Sequence, residues 1–284
     1  MIIRKITTLC FSTVLTFSGL CHAQETPVAE EASPLDKYHW ITSGEGQIGS
    51  HATIKIPEGF RFLKGRETAE VMEYFGNLPS QYDGMIGPDS LDWFVIFQFS
   101  DTGYVDDSEK EDLDADELFK ILKEGQEEAN KERKRLGIGT LTLTGWAAEP
   151  NYNESTNNLE WGLTLVDSEG FKNVNFLTKL LGRRGVMETT LICDTEDLDA
   201  VLPVYQNLIA DFEYSSGNTY AEYEEGDKLA EYGLKGLIAG GAIYGAAKLG
   251  FFAFLKKGFK FIIAGVVAVG LFLKRLITGK SAQA

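Results

Sequence analysis

The sequence predicts an α+β fold, an antiparallel sheet packed with amphipathic helices, followed by a C-terminal transmembrane helix. Three observations carry this. Strand-like segments between residues 140 and 193 lie together in the chain, with helical segments before and after them, the order of an α+β domain. Within that group Leu159, Trp161, Leu163 and Leu165 alternate with their neighbours, the period of a strand with one buried face. Beyond residue 236 two apolar stretches follow, Leu237 to Leu255 and Phe261 to Leu273, the first interrupted by Lys248 alone.

Taken in order, Ala52 to Leu63 (ATIKIPEGFRFL) alternates and turns at Pro57 and Gly59, so it reads as strand. Glu67 to Phe75 has helical spacing, and Asp92 to Phe99 (DWFVIFQF) is a buried strand. Ala115 to Leu136 follows an acidic run and puts Leu118, Phe119, Leu122 and Ala129 on one stripe of a long helix. A meander comes next. Thr140 to Ala148 and Leu159 to Val166 flank the turn-rich NYNESTNN, while Val174 to Leu181 and Val186 to Cys193 flank the turn Gly182-Arg183-Arg184-Gly185. Leu198, Val201, Leu202, Tyr205, Leu208, Ile209 and Phe212 mark a closing helix that Pro203 should kink.

The formal net charge of -15 is unevenly spread. Residues 24–234 hold all 42 acidic residues and 17 basic ones, a net of −25, whereas residues 1–23 and 235–284 are basic without a single acid. Such a domain lacks the clustered cations that phosphate neutralisation needs, so no nucleic acid is expected as a partner. Aromatic residues at 12% can bury a core, which excludes disorder for most of the chain.

Residues 1–23 read as a signal peptide, with Arg4 and Lys5 before an apolar run and Cys21-His22-Ala23 as the cleavage site. Residues 24–37 are an acidic leader, 38–214 the exported domain, 215–236 a juxtamembrane segment, 237–277 the membrane anchor region and 278–284 a tail. Lys248 nearly cancels the insertion tendency of the first apolar stretch, so the main span is assigned to 259–277, with Lys260 and Lys274 reaching the two surfaces. Tyr220, Tyr223 and Tyr232 lead into the apolar region and suit an interfacial belt. The expected location is a bacterial inner membrane with the main domain in the periplasm. The bilayer is one partner and an envelope protein the other.

Cys193 is the one cysteine left after signal removal. It ends the apolar TTLIC, so it is expected to be a buried, inert thiol. No HExxH, GxSxG or Walker A motif is present. Gly44-x-Gly46-x-x-Gly49 matches the dinucleotide pattern in letters, yet it precedes a strand where a phosphate loop must follow one. The acidic run from Asp106 to Glu117 fails as an EF-hand, because Glu117 stands at the glycine position and Lys123 at that of the bidentate glutamate. It suits a helix N-terminus, capped by Asp112 or Asp114. No cofactor, metal or catalytic residue is assigned.

The candidate binding residues are Tyr104, Asp106, Asp107, Trp146, Trp161, Arg183 and Arg184. Arg183 and Arg184 stand at a turn, either gripping a carboxylate or phosphate or pairing with neighbouring acids. Trp146 and Trp161 either pack in the core or face outward with Tyr104 as an aromatic platform. The leading expectation is a non-enzymatic binding module. Two alternatives stand beside it: a hydrolase or transferase using Asp106 or Asp107 with Arg183, and a small-molecule or lipid carrier.

Five stretches together resemble a known family. They are Gly103-Tyr104-Val105-Asp106-Asp107, Gly145-Trp146 with Pro150-x-Tyr152, Leu159-x-Trp161, Leu181-Gly182-Arg183-x-Gly185-Val186, and Tyr220-Ala221-x-Tyr223-x-x-Gly226-x-Lys228-x-Ala230-x-Tyr232-Gly233-Leu234. In this order they are similar to the uncharacterised bacterial membrane-anchored family catalogued as domain of unknown function 2167. The resemblance runs over roughly residues 38–260. It implies an envelope protein with a C-terminal anchor, and no reaction or substrate. The element order also looks like the antiparallel sandwich of the PsbP/Mog1 type, an analogy of fold alone.

Overall fold

The computed structural model describes residues 33–240. The signal peptide, most of the acidic leader and the 259–277 span therefore lie outside the described residues. No helix among those described is long and apolar enough to cross a membrane.

The described residues form two antiparallel sheets and four α-helices. Strands β1 (Glu45–Ile48), β2 (Ala52–Lys55) and β10 (Phe212–Tyr214) make a small sheet in the order β1-β2-β10. The large sheet takes β3 (Phe60–Lys64), β4 (Gly84–Pro88), β5 (Phe94–Ser100), β6 (Leu141–Asn153), β7 (Asn158–Asp167), β8 (Lys172–Leu181) and β9 (Val186–Asp194). Its order is β3-β4-β5-β9-β8-β7-β6, antiparallel throughout. The helices are α1 (Gly65–Tyr74), α2 (Ala115–Arg135), α3 (Leu198–Ala210) and α4 (Leu234–Ala239). The class is α+β, as the grouping of the strands requires.

Alternation decides which face each strand residue meets. Val95 and Phe97 of β5, Val174 and Phe176 of β8, and Leu191 and Cys193 of β9 point to one face, where Ile48 and Ile54 of the small sheet and Tyr205 and Leu208 of α3 close over them. Leu159 and Trp161 of β7, with Leu181 and Val186, point to the other face and meet Leu118 of α2 and Leu234 and Leu237 of α4. Further along that face, Leu63, Met85 and Phe94 pack under Val71 and Met72 of α1. Leu35 joins them at 2% exposure, so the end of the acidic leader is folded rather than solvated.

The long elements start and stop where their chemistry dictates. Asp114 caps α2, its carboxylate accepting from the Glu117 N–H at 2.9 Å. At the other end Arg133 is buried and donates to the carbonyls of Gly139 (2.5 Å) and Gly76 (2.9 Å). The β6–β7 strands run to Asn153 and from Asn158, so only 154–157 turn, with Asn157 left-handed at φ 55°. Gly46 lies on β1 under the Phe62 ring, where an added Cβ would sit 2.6 Å from ring carbons. The glycine pattern there serves close packing in a strand hairpin.

Two expectations shift. Phe212, assigned to the stripe of the closing helix, begins β10 instead, since α3 ends at Ala210 and the chain turns at Asp211 into pairing with Ile54. Ala52 to Leu63 yields strands in different sheets, because the bend at Pro57 and Gly59 carries the chain from the small sheet to the large one.

Under α3 the first core contains a polar chain. Tyr205 is fully buried, and its hydroxyl bonds Thr178 Oγ1 (2.7 Å) and Thr189 Oγ1 (2.6 Å). Replacing Tyr205 by Phe would leave buried hydroxyls short of a partner, a cost of about 1–3 kcal/mol. Urea unfolding followed by tryptophan fluorescence should show that loss in the Tyr205→Phe chain, and an unchanged midpoint would assign the network no stabilising role.

Candidate functional site

The residues singled out from the sequence divide between a surface clasp and the sheet beneath it. The clasp begins where β5 ends. Residues 101–107 leave the sheet, and the backbone of Tyr104 pairs with the returning segment: its N–H donates to Lys228 O (2.8 Å), and its carbonyl accepts from Ala230 N–H (2.8 Å). Gly103 permits this approach, since a Cβ there would stand 2.5 Å from the Lys228 carbonyl oxygen. The Tyr104 ring is clamped between Tyr220 (centroids 4.4 Å apart) and Tyr223 (4.2 Å). The Tyr220 hydroxyl donates to Val105 O at 2.9 Å. Burial, then the neighbouring Tyr104, pushes its ionisation above the ordinary phenol range.

Beside the ring stack, the Tyr152 hydroxyl donates to Asp107 Oδ2 at 2.9 Å. Burial first and this bond second raise the Tyr152 phenol well above its usual value, so it stays a donor. Asp106 points away and accepts from Ser108 N–H (2.9 Å), and these bonds to Ser108 hold its carboxyl below the usual range.

Arg183 anchors the other side. Its guanidinium grips Asp227 through Nε (2.7 Å) and Nη2 (3.0 Å), and Nη2 also reaches Glu224 at 3.0 Å. Its backbone N–H donates to Asn218 O (2.9 Å), and Gly182 bridges to Thr219. Arg184 is exposed, and its carbonyl accepts from Gly103 N–H (3.1 Å). Arg183 thus spends its fork on acids of its own chain.

The tryptophans lie below. Trp161 is 1% exposed in the core, with Lys179 Nζ 5.7 Å from its ring centroid. Trp146 is half-buried and packs on Phe119 of α2 at 5.4 Å. Neither tryptophan joins the ring stack around Tyr104. Lys179 is itself buried and pairs with Glu188 at 2.5 Å; burial lowers its pKa and Glu188 opposes that shift.

Sequence reading found Tyr104, Asp107 and Arg183 and missed what they bind. Tyr152, Asp227 and Lys228 are 44 to 124 residues from their partners, and no local period links them. Tyr220 turns inward onto Tyr104 rather than outward as a belt, while Tyr223 keeps 37% exposure. Cys193 is buried, and burial pushes its thiol up to about 12, too high for a nucleophile at neutral pH. Among the described residues no group of three or more His, Cys, Asp or Glu could hold a metal. A cleft of about 390 Å³ lies elsewhere, between β1–β2, α1, β4 and β5, and neither Asp107 nor Arg183 lines it.

Compared with known proteins, residues 41–270 match the family described as protein of unknown function (DUF2167). No curated protein matches. Among solved structures the chain is similar to cyanobacterial PsbP (CyanoP) from Synechocystis sp. PCC 6803, at 13% identity over 62% of this chain and 94% of that one, TM-score 0.37. It is also similar to the Saccharomyces cerevisiae Ran-binding protein Mog1p, at 10% identity over 64% and 100% of the two chains, TM-score 0.33.

The clasp makes two predictions. Arg183→Ala should raise amide hydrogen exchange across residues 218–230 while β8 keeps its protection, and Arg183→Lys, a point charge without the fork, should restore only part of the difference. Equal exchange in all three chains would deny the fork a role. The second concerns acid. Arg183 and the Glu224 N–H hold Asp227 below the usual carboxylate range. A lowered native value stabilises the fold above the unfolded pKa, and the gain is lost as pH falls through the native one. Exchange in 218–230 should therefore rise only below about pH 4; opening near neutrality would contradict the assignment.

Proposed function

The chain belongs to the DUF2167 family of proteins of unknown function, and from that premise we propose that it is an exported, non-enzymatic binding module held at a bacterial inner membrane. The α+β domain, a layered sandwich of the PsbP/Mog1 type, faces the periplasm, engages an envelope partner and is retained by a C-terminal transmembrane anchor within 237–277.

The observation that carries this reading is the clasp. The segment leading into the apolar stretch is packed as part of the domain. Leu234, Leu237 and Ile238 are buried at 4% exposure or less, and the Lys235 N–H reaches Glu109 Oε2 at 3.4 Å. A loose tether would need none of this. On this reading the described chain leaves the domain at a fixed point, the end of α4. The family match also runs on to residue 270, so it covers the apolar stretch together with the domain. Two further points support binding over catalysis. The carboxylates and arginine of the enzymatic alternative, Asp107 and Arg183, are bonded to Tyr152, Asp227 and Glu224. They also stand apart from the cleft.

Fractionation of cells tests it. The full chain should sediment with inner membranes and resist alkaline extraction, and protease added to spheroplasts should cleave the domain. A chain ending at residue 240 should instead appear as a folded, soluble periplasmic protein. Recovery of the full chain in the cytoplasm, or protection of the domain in spheroplasts, would overturn the proposal.

A further inference from the structure

The cleft between the two sheets gathers polar groups that the fold uses only in part. Its volume of about 390 Å³ falls within the range of small-molecule sites, roughly 300–1,000 Å³. His51 enters from the β1–β2 turn, Arg66 from α1, Gln81 and Asp83 from the approach to β4, and Gln98 and Phe99 from β5. The walls are fixed by backbone bonds. Asp83 N–H donates to Phe97 O (2.8 Å), Gly49 N–H donates to Asp83 O (3.2 Å), and Asp83 Oδ2 accepts from Phe99 N–H (2.6 Å). The His51 ring stacks on Phe99 with centroids 3.8 Å apart.

The arginines of the domain differ in how far the fold engages them. Arg61, Arg133 and Arg183 spend their guanidinium groups on Trp40, on carbonyls and on acids of the chain. Among the described residues Arg66 pairs only with Glu70, at 3.9 Å with both side chains exposed, a geometry worth little. Among the described residues, the amides of Gln81 and Gln98 have no hydrogen-bond partner. Arg66 and Asp83 face one cleft, yet no ion pair within 4.0 Å joins them.

We propose that this cleft binds a zwitterionic solute of the free amino-acid class. Its carboxylate pairs with Arg66 and its ammonium with the outer lone pairs of Asp83. Gln81 and Gln98 take the remaining hydrogen bonds, and Ala69 with the His51–Phe99 stack covers the carbon skeleton. Arg66 stands at the solvent-exposed rim and Asp83, with one oxygen bonded to Phe99 N–H, lines the cleft below it; the two do not pair with each other and are engaged together by a molecule that carries both charges. A simple anion would leave Asp83 facing it, and a simple cation would meet Arg66. A zwitterion also enters without a net-charge penalty or gain from so acidic a domain. The proposal is independent of the anchoring reading, since it uses no clasp residue.

The test is calorimetric titration of the full chain with the common amino acids one at a time, and with acetate and methylammonium as the two charged halves. At least one amino acid should bind, with each half weaker by about tenfold or more. Loss of one charge-assisted contact should cost about 10- to 100-fold in affinity, so Arg66→Ala should weaken binding by that factor. Gln81→Ala, also exposed, should weaken it less and stands in if the first variant does not fold. Absence of binding by every amino acid, equal binding of acetate or methylammonium, or affinity unchanged in the variants would each overturn the proposal. None of those results bears on membrane retention.

Discussion

Everything on the far face of the large sheet depends on how the chain covers β7, β8 and β9 after they have paired. Leu159, Trp161, Leu181 and Val186 project from that face, and all are buried at 4% exposure or less. α2 alone does not reach over them. The cover is completed by Val105 from the segment after β5 and by α4 from the end of the described chain. The first piece is held to residues 220–223, on the way to α4, by the Tyr220–Tyr104–Tyr223 stack, and the same segment is tied to the β8–β9 turn by the Arg183 fork on Asp227 and Glu224. Removing either would return a tryptophan and several aliphatic side chains to water, at about 25 cal/mol per Å² of apolar surface. The polar clasp is thus the means by which an apolar surface stays dry.

Legibility in the sequence follows from the range of each interaction. Elements with a strong local period were readable: the four long strands of the meander, α2 with its Asp114 cap, and the α3 stripe. Strands β1 and β4 were not, because EGQI and GMIGP carry glycine instead of alternation, and only the long-range approach of Phe62 explains Gly46 and Gly84. β10 was hidden because three residues, Phe212 to Tyr214, continue the apolar spacing of the helix before them. The clasp was readable as letters and opaque as geometry. Tyr104, Arg183 and Tyr220 stood out as residue types, but their contacts join segments more than 40 residues apart. Their role is therefore a fact of topology.

Electrostatics inside the domain runs against its surface. Several of its few cations are drawn inward: Arg133 closes two helix ends, Lys179 pairs with Glu188 under Trp161, and Arg61 lies over Trp40. A buried pair such as Lys179–Glu188 costs desolvation on both sides and roughly breaks even, so it fixes register between β8 and β9 more than it adds stability. Spending cations in this way leaves the outer surface more negative than composition alone implies. Such a surface repels anionic head groups, although salt confines that repulsion to about 8 Å.

The clasp and the cleft are also joined through the chain. Phe99 stacks on His51 at the cleft, and the next residues along β5 lead directly to Gly103 and Tyr104 in the clasp. On the other side, the His51 carbonyl accepts from Ser215 N–H at 2.8 Å, and Ser215 begins the segment that reaches Asn218 and Tyr220. One covalent route along β5 and one through the Ser215–His51 hydrogen bond therefore run from the two sides of the His51–Phe99 stack to the clasp. The β5 route has no glycine before Gly103, whereas the second turns at Gly217, left-handed at φ 84°, before it reaches the clasp. The backbone that lines the cleft is thus continuous on one side, and hydrogen-bonded on the other, with the segments that build the clasp.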